Sequence, residues 1–291
     1  LYDQIDAMLD HDIIPTISEL GFFEALDRKL KERGVPWLVH VEVDTGMTRT
    51  GFSIEDVDRA LSTICSSPRL KIDGIFSHFP LADANGAFTK KQLADFDGLV
   101  SRSRSAGIDV GSVHIANSSG IFKWPGAHYD LVRPGIALYG LRSSPNVVYR
   151  DGFDPVMTLK ARVVNIRRVN DRTPISYGHT YFTKRSSTIA TVSIGYGDGF
   201  PRLLSNRGEV LIRSRRVPIV GTVCMDLIMV DVTEVPDVRV GDVATVIGKD
   251  GSSEITAEEC ATLADTIVYE ITSGIGPRVA RVFMLDGKIV K

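Results

Sequence analysis

The first half of the chain alternates short apolar runs with longer amphipathic segments. The apolar run IIPTI (13–17) precedes a segment whose apolar residues recur at helical spacing from Leu20 to Leu30, and Gly34 follows as a helix terminator. The next run, WLVHVEVD (37–44), is almost continuously apolar, which is typical of a strand covered on both faces. This alternation predicts βα units around a parallel sheet.

The same unit recurs further along. Strands are predicted at 71–79 and 113–116, with a helix at 90–107 between them. Because serine is a preferred N-cap residue, we expect Ser18 and Ser53 to start helices. Polar side chains gather where the strands end, and barrel enzymes build their active sites there.

After Ser143 the pattern becomes that of short strands broken by Gly, Pro and Asp turns. The predicted strands lie within TLKARVVNIRRV (158–169), TIATVSIGYGDG (188–199), VLIRSRRVPIVG (210–221), LIMVDVTEV (227–235) and VATVIG (243–248). We therefore predict two domains, a β/α domain at 1–147 and an all-β domain at 148–291.

A complete eight-unit barrel needs roughly 200 to 250 residues, more than residues 1–147 provide. We therefore expect a partial (β/α)8 TIM-type barrel, with about two units missing from its front. The alternative is a short open sheet, whose exposed edge would invite aggregation. The chain begins at Leu1 inside a helix-like pattern, so we expect this sequence to be a fragment.

Composition limits the classes of partner that this protein is expected to bind. The net charge is −2, with basic residues scattered along the chain, so no footprint for nucleic acid or an anionic membrane is present. Three widely spaced cysteines form neither a disulfide framework nor a zinc pattern, and no metal site is expected. We expect a cytoplasmic protein with a small-molecule substrate.

Familiar motifs are absent. GYGDGFP (195–201) alternates glycines but runs into proline instead of a helix, which makes it a poor dinucleotide fingerprint. What remains is a group of strand-end residues that could share one rim: Glu42, Asp44, Arg49, His78, His114, Asn117, Ser118 and Arg133.

Seven blocks spread over both predicted domains carry a family resemblance. In chain order they are VDTGMTRTGF, GIFSHFPLAD, HIANSSG, DLVRPGIALYG, ISYGHTY, SIGYGDGFPR and VGTVCMDLIMVDVT. In sequence and approximate spacing the chain resembles the alanine racemases, which depend on pyridoxal phosphate and have fold type III. The resemblance implies a β/α barrel followed by a β domain, in a head-to-tail homodimer with shared active sites.

Racemisation requires acid/base groups on opposite faces of the substrate carbon, with the cofactor as electron sink. The family uses a Schiff-base lysine on one face and a tyrosine on the other, and Tyr177 matches that tyrosine. Its proton must be helped to leave, and by resemblance His78 and Arg133 provide that setting, with His114 behind them. Without the resemblance, Tyr177 would be taken as a domain-interface residue.

The resemblance also assigns binding residues. Arg133 faces the pyridine nitrogen and, because an arginine cannot accept a proton, leaves it unprotonated. The predicted cofactor-binding residues are His78, His114, Asn117, Ser118, Arg133, Gly135 and Ile136. The predicted substrate-binding residues are Arg49, Tyr196, Met225 and Asp226, the last three serving the partner subunit.

Three departures from the family pattern stand out. The lysine-bearing motif is not found, so we expect the chain alone to be inactive and the segment to lie outside this sequence or on a separate polypeptide. Glu42 occupies the place of a lysine that many relatives carbamylate, and we expect it to supply the negative charge beside Arg49. Pro277 stands where some relatives have a phosphate-binding tyrosine.

The predicted activity is interconversion of L- and D-alanine, which supplies D-alanine for peptidoglycan. Two alternatives stay open. One is a racemase of another amino acid, of the serine or lysine type. The other is a non-catalytic cofactor-binding protein derived from a racemase, and the presence of Tyr177, Arg49, Met225 and Asp226 argues against it.

Overall fold

The computed structural model describes residues 2–149 and 152–290, which divide into two compact units. The first unit comprises the residues up to Gly135 and Asn146–Tyr149; the second comprises Ile136–Pro145 and the described residues from Gly152 onward. The predicted first domain ended at 147, but residues 136–145 belong to the second unit. The reason is packing, because Ile136 and Leu141 are buried in the core of the second unit.

The first unit is built on a parallel sheet. Its strands are β1 (Thr16–Ile17), β2 (Trp37–Asp44), β3 (Phe52–Ser53), β4 (Leu70–Phe76) and β5 (Ser112–His114). Its α-helices are α1 (Ile5–Asp10), α2 (Leu20–Arg33), α3 (Val57–Cys65), α4 (Gly86–Ser105) and α5 (Ser118–Lys123), with 3₁₀ turns at Tyr2–Gln4 and Pro125–Ala127. The strand order is β1–β2–β4–β5, with β3 paired to the end of β2. The predicted βα alternation is confirmed, in the partial form of a barrel.

The two faces of the sheet differ in chemistry. Residues of β2 alternate in direction, and Val39, Val41 and Val43 are buried in one cluster with the helices. The opposite face carries His40 and Glu42. Barrel interiors are usually filled by branched apolar side chains, so this polar face marks the functional side of the sheet.

The helix starts differ from the prediction. Helix α3 begins at Val57, whereas Ser53 lies in β3. The Ser53 hydroxyl donates to Asp56 Oδ2 at 3.0 Å and accepts from the Asp56 N–H at 3.1 Å, so it closes a turn before the helix. Helix α2 begins one residue after Glu19 rather than after Ser18, and Gly34 ends it at a φ of 69° as predicted.

The second unit is β-rich, as predicted. Its strands are β6 (Leu159–Val169), β7 (Pro174–Ile175), β8 (Tyr181–Phe182), β9 (Ser187–Val192), β10 (Glu209–Ile212), β11 (Arg215–Pro218), β12 (Ile228–Asp231), β13 (Val243–Asp250), β14 (Ser253–Ile255), β15 (Phe283–Leu285) and β16 (Lys288–Val290). Its 3₁₀ turns are Ile136–Tyr139, Tyr177–His179, Tyr196–Asp198 and Arg202–Leu204. The main sheet has the order β11–β10–β13–β6–β9–β12, with antiparallel pairs throughout.

Two features of this unit go beyond the sequence patterns. Helices α6 (Ala257–Leu263) and α7 (Val268–Gly274) pack into its core, so the unit is not purely β. The predicted strand at 210–221 is a hairpin of β10 and β11, turned by Arg213 and Ser214 at φ values of 53° and 61°. Within residues 2–149 and 152–290, no helix has the length and apolar character needed to cross a membrane.

Candidate active site

The partly buried guanidinium of Arg133 is the centre of a polar cluster at the ends of β4 and β5. Its Nη1 donates to His114 Nδ1, and its Nη2 donates to the carbonyl oxygens of Ser77 at 2.6 Å and Ile115 at 3.3 Å. Burial lowers the pKa of Arg133, while the negative charge of Glu42 raises it. The described contacts thus fix the guanidinium and use three of the five N–H groups that an arginine carries.

His114 ends β5 and is held as a neutral imidazole. Burial, and then the charge of Arg133, lower the pKa of His114 to about 4. Because Nδ1 accepts from Arg133, the ring proton must be on Nε2, which lies 3.1 Å from His40 Nδ1. Stacking on Phe76, with the ring centroids 5.0 Å apart, fixes the plane of the imidazole.

His78, in the loop after β4, has the same charge state. Burial is the main cause that lowers its pKa to about 4, followed by the charges of Arg133 and Arg49. Asn117 Nδ2 donates to the carbonyl oxygen of Phe79 at 2.9 Å and lies 3.4 Å from His78 Nε2. The Nε2 atom therefore accepts, and the ring proton is on Nδ1.

Two of the predicted cofactor-binding residues contact each other. The Gly135 N–H donates to Ser118 Oγ at 2.9 Å, next to the Asn117 side chain that caps α5 by accepting from the Gly120 N–H. Ile136, predicted with them, falls on the other side of the unit division, and its side chain is buried in the second core.

Arg49 lies exposed in the loop that follows β2. Asp44 Oδ1 accepts from the backbone N–H groups of Gly46 and Met47 at 2.8 Å and of Thr48 at 3.0 Å, which folds the start of this loop around one carboxylate. The charge of the buried Glu42 acts on Arg133. Its role beside Arg49 stays a prediction.

Tyr177 belongs to the second unit and is 73% exposed. The backbone around it is strained, with φ values of 66° at Ser176 and 47° at His179. Two bonds hold this conformation: Ser176 Oγ donates to the Thr222 carbonyl oxygen at 2.6 Å, and Thr222 Oγ1 donates to the Tyr177 carbonyl oxygen at 2.8 Å. The fold fixes the backbone of Tyr177 and leaves its side chain accessible.

Tyr196, Met225 and Asp226 are brought together by two loops that pack backbone to backbone. The Tyr196 N–H donates to the Cys224 carbonyl oxygen at 3.0 Å, and the Gly197 N–H donates to that of Met225 at 2.8 Å. A Cβ on Gly195 would lie 2.3 Å from the carbonyl oxygens of Cys224 and Met225. The alternating glycines of GYGDG are therefore required by close packing.

Arg278 joins these loops, and the sequence analysis missed it. Its Nη2 donates to Asp226 Oδ1 at 2.6 Å and to Asp198 Oδ1 at 2.8 Å, and these hydrogen bonds raise the pKa of Arg278. The partners lie 52 and 80 residues away along the chain, so no local pattern indicates the cluster. Among the described residues, no group of three or more His, Cys, Asp or Glu side chains is arranged to hold a metal ion.

Comparison with known proteins gives matches over both units. The family description "Alanine racemase, N-terminal domain" matches residues 2–143, and "Alanine racemase, C-terminal domain" matches residues 156–283. The alanine racemase of Halothermothrix orenii is 42% identical over 282 residues, which are 97% of this chain and 74% of that protein.

Solved structures agree. Alanine racemase from Bacillus anthracis with bound L-Ala-P has a TM-score of 0.89 and 34% identity, over 100% of this chain and 75% of that one. Alanine racemase from Bartonella henselae with covalently bound pyridoxal phosphate has a TM-score of 0.86 and 31% identity, over 98% of this chain and 77% of that one.

Both units thus fall in one class, a β/α barrel-type domain joined to a β domain in a pyridoxal-phosphate-dependent isomerase. The chain belongs to the alanine racemase family. These matches do not support the expectations that a lysine-bearing segment is missing and that the chain alone is inactive. The roles of the individual site residues stay predictions.

Proposed function

We propose that this chain interconverts L-alanine and D-alanine with pyridoxal phosphate as cofactor. Named relatives and structural neighbours support the reaction, among them a neighbour solved with L-Ala-P and another with the cofactor covalently bound. The observation that carries the proposal is the fixed Arg133 guanidinium, which bonds to a neutral His114 and whose charge acts on a neutral His78.

The donor set fits the cofactor. Arg133 keeps two N–H groups beyond its described contacts and has no acceptor, so it can donate to a pyridine nitrogen that carries no proton. Ser118 and Gly135, which lie together beside α5, are the residues proposed to hold the phosphate. Asn117 fixes both the start of α5 and the ring of His78.

The cofactor, when bound, supplies the electron sink that weakens the substrate Cα–H bond. Tyr177 would move the proton on one face, at its phenolic oxygen, and the lysine that carries the cofactor, which the trapping experiment below locates, would serve the opposite face. Arg49 binds the substrate carboxylate. His78, neutral with its proton on Nδ1, can donate a hydrogen bond without adding a positive charge to the site.

We also propose that Tyr177, Tyr196, Met225 and Asp226 complete the site of a second copy of the chain in a homodimer. Their exposure supports this, because Tyr177 is 73%, Met225 52% and Tyr196 44% exposed. The product D-alanine would serve peptidoglycan synthesis in the cytoplasm.

The test combines cofactor trapping with an activity assay. The purified protein is incubated with pyridoxal phosphate, reduced with borohydride and analysed by intact mass and peptide mapping, which locates the modified residue and its polypeptide. Alanine, serine and lysine racemisation are measured in parallel. Trapped cofactor with alanine racemisation is the expected result. Trapped cofactor with activity only on serine or lysine would favour a racemase of that amino acid. The absence of both adduct and activity would contradict the proposal.

Tyr177→Phe tests the proposed base. Loss of one acid/base group lowers the rate by about 100-fold or more. Because Tyr177 is largely exposed, the variant should keep its stability and cofactor binding. Tyr2→Phe is the control, since Tyr2 is also exposed and its hydroxyl donates to the surface residue Glu19. Equal activity of both variants would remove Tyr177 from the mechanism.

A further inference from the structure

A buried polar cluster joins the two loops that carry Arg49 and His78. Three side chains form it, Thr45 at 8%, Ser77 at 1% and Gln92 at 1% exposure. Thr45 Oγ1 and Ser77 Oγ share a hydrogen bond of 2.7 Å. Gln92 Nε2 donates to Thr45 Oγ1 at 3.1 Å and to the His78 carbonyl oxygen at 3.4 Å. Gln92 thereby contacts both loops at once.

Helix α4 holds the loop after β2 at two successive helical turns. Phe88 and Gln92 are four residues apart and therefore lie on the same side of the helix. Gly46, with a φ of 132°, approaches so closely that a Cβ there would lie 2.6 Å from Phe88 Cζ. One turn thus makes an apolar contact with the loop, and the next makes a polar one.

The same cluster reaches the centre of the site. The Ser77 carbonyl oxygen accepts from Arg133 Nη2 at 2.6 Å, while the Ser77 hydroxyl bonds to Thr45. Gln92 Oε1 is buried and has no hydrogen-bond partner among the described residues. Gln92 therefore contributes to this cluster through the two hydrogen bonds of its amide nitrogen, not through its amide oxygen.

We propose that Gln92 is a positioning residue that, through Thr45 and Ser77, sets the spacing between the Arg49 loop and the His78–Arg133 cluster. The inference rests on the proposed function, in which Arg49 binds the substrate carboxylate. Loss of the Gln92 hydrogen bonds should loosen the Arg49 loop and weaken substrate binding, while the groups that move protons stay in place.

The first experiment needs no activity. Gln92→Met keeps the length of the side chain and removes its hydrogen bonds. Hydrogen exchange of the backbone amides at 45–52, followed by mass spectrometry, should become at least about tenfold faster in this variant. Lys91→Met is the matched control on α4, because Lys91 is exposed and pairs with Asp95 on the surface of the same helix. Unchanged exchange in Gln92→Met would overturn the proposal.

The second experiment measures KM and kcat for alanine in the cofactor-loaded enzyme. Gln92→Met and Thr45→Val should each raise KM about tenfold and keep kcat within about twofold, and the double variant should be no worse than either, because both act through one contact. Multiplying effects, or a fall in kcat at constant KM, would contradict the proposal. If the wild type racemises no amino acid, the proposed function fails, and hydrogen exchange still decides whether Gln92 holds the loop.

Discussion

The two units hold their candidate site residues in opposite ways. In the first unit, His114 is 5% exposed, and Arg133, His78 and Asn117 are partly buried and bonded to one another or to strand-end carbonyls. In the second unit, the side chain of Tyr177 is 73% exposed, and hydrogen bonds fix the backbone beneath it.

This difference separates two means of preorganisation. Buried, mutually bonded groups fix charge states and tautomers, so the first unit sets the electrostatics of its site. Loops packed backbone to backbone fix positions but leave the side chains accessible, so the second unit presents a surface. The first arrangement should be sensitive to pH, and the second to any atom added between its loops.

The largest effect is expected for Gly195→Ala in the second unit. Its new Cβ would meet the Cys224 and Met225 carbonyl oxygens at 2.3 Å, and overpacking against backbone should destabilise that unit by about 3 kcal/mol. Gly98→Ala, inside α4 of the first unit, is the control: its nearest atom is at 4.0 Å, and alanine should stabilise the helix by roughly 0.5 to 1 kcal/mol.

Urea unfolding can resolve the two units. Trp37 and Trp124 both lie in the first unit, so tryptophan fluorescence follows that unit, whereas far-UV circular dichroism follows both. Gly195→Ala should shift the circular dichroism transition and spare the fluorescence transition. Equal shifts in both signals would show that the units unfold as one.

The second largest effect is expected from acid, which should lower the stability of the first unit. In the unfolded chain a histidine gains its proton near pH 6.5, whereas in the folded protein His78 and His114 do so only near pH 4. The unfolded state therefore binds more protons between these values, and stability is complete above about pH 6.5 and falls as the pH drops toward 4.

After allowance for the partial exposure of His78, the free energy of unfolding of the first unit should fall by roughly 1 to 3 kcal/mol between pH 7.5 and 5. Urea unfolding followed by tryptophan fluorescence measures this change. The double variant His78→Gln/His114→Gln should have a flatter dependence over the same interval. A wild-type protein as stable at pH 5 as at pH 7.5 would mean that these imidazoles are not held neutral.

Ser118→Ala should have an intermediate effect. Ser118 is 2% exposed, and its hydroxyl accepts from the Gly135 N–H, so truncation leaves a backbone donor unpaired at a cost of about 1 to 2 kcal/mol. Fluorescence-detected unfolding measures this cost, and titration with pyridoxal phosphate should show weaker binding. Ser105→Ala, at an exposed hydroxyl near the end of α4, is the control. Matching behaviour of the two variants would argue against a special role for Ser118.

The smallest effect on stability is expected for Arg278→Met. Arg278 and Asp226 are exposed, and Asp198, although more buried, still accepts from the Gly195 N–H, so loss of these ion pairs should cost only about 1 kcal/mol. The KM for alanine should nevertheless rise, because Asp226 loses its fixed partner. Arg185→Met, which breaks the exposed pair with Glu234, controls for the loss of a surface charge. Identical KM values in the two variants would confine Arg278 to a surface role.

Periodicity was sufficient where one rule controls the outcome. The run 37–44 forms a strand with those bounds, and Gly34 ends α2 in the left-handed conformation. The strand-end rule brought His78, His114, Asn117 and Arg133 into one cluster, because carboxyl ends of parallel strands meet at one edge. It could not indicate Arg278 or Gln92, which contact residues far away along the chain.

The sequence by itself determined the order of the elements, the β/α and β-rich halves, and the family to which the chain belongs. Those properties follow from the spacing of residues that are close together along the chain and from contiguous sequence motifs. Tertiary structure alone decided that residues 136–145 pack with the second unit, that the GYGDG glycines serve loop packing, and which imidazole nitrogen carries each proton. These depend on burial and on hydrogen-bond partners, which exist only once distant segments of the chain are in contact.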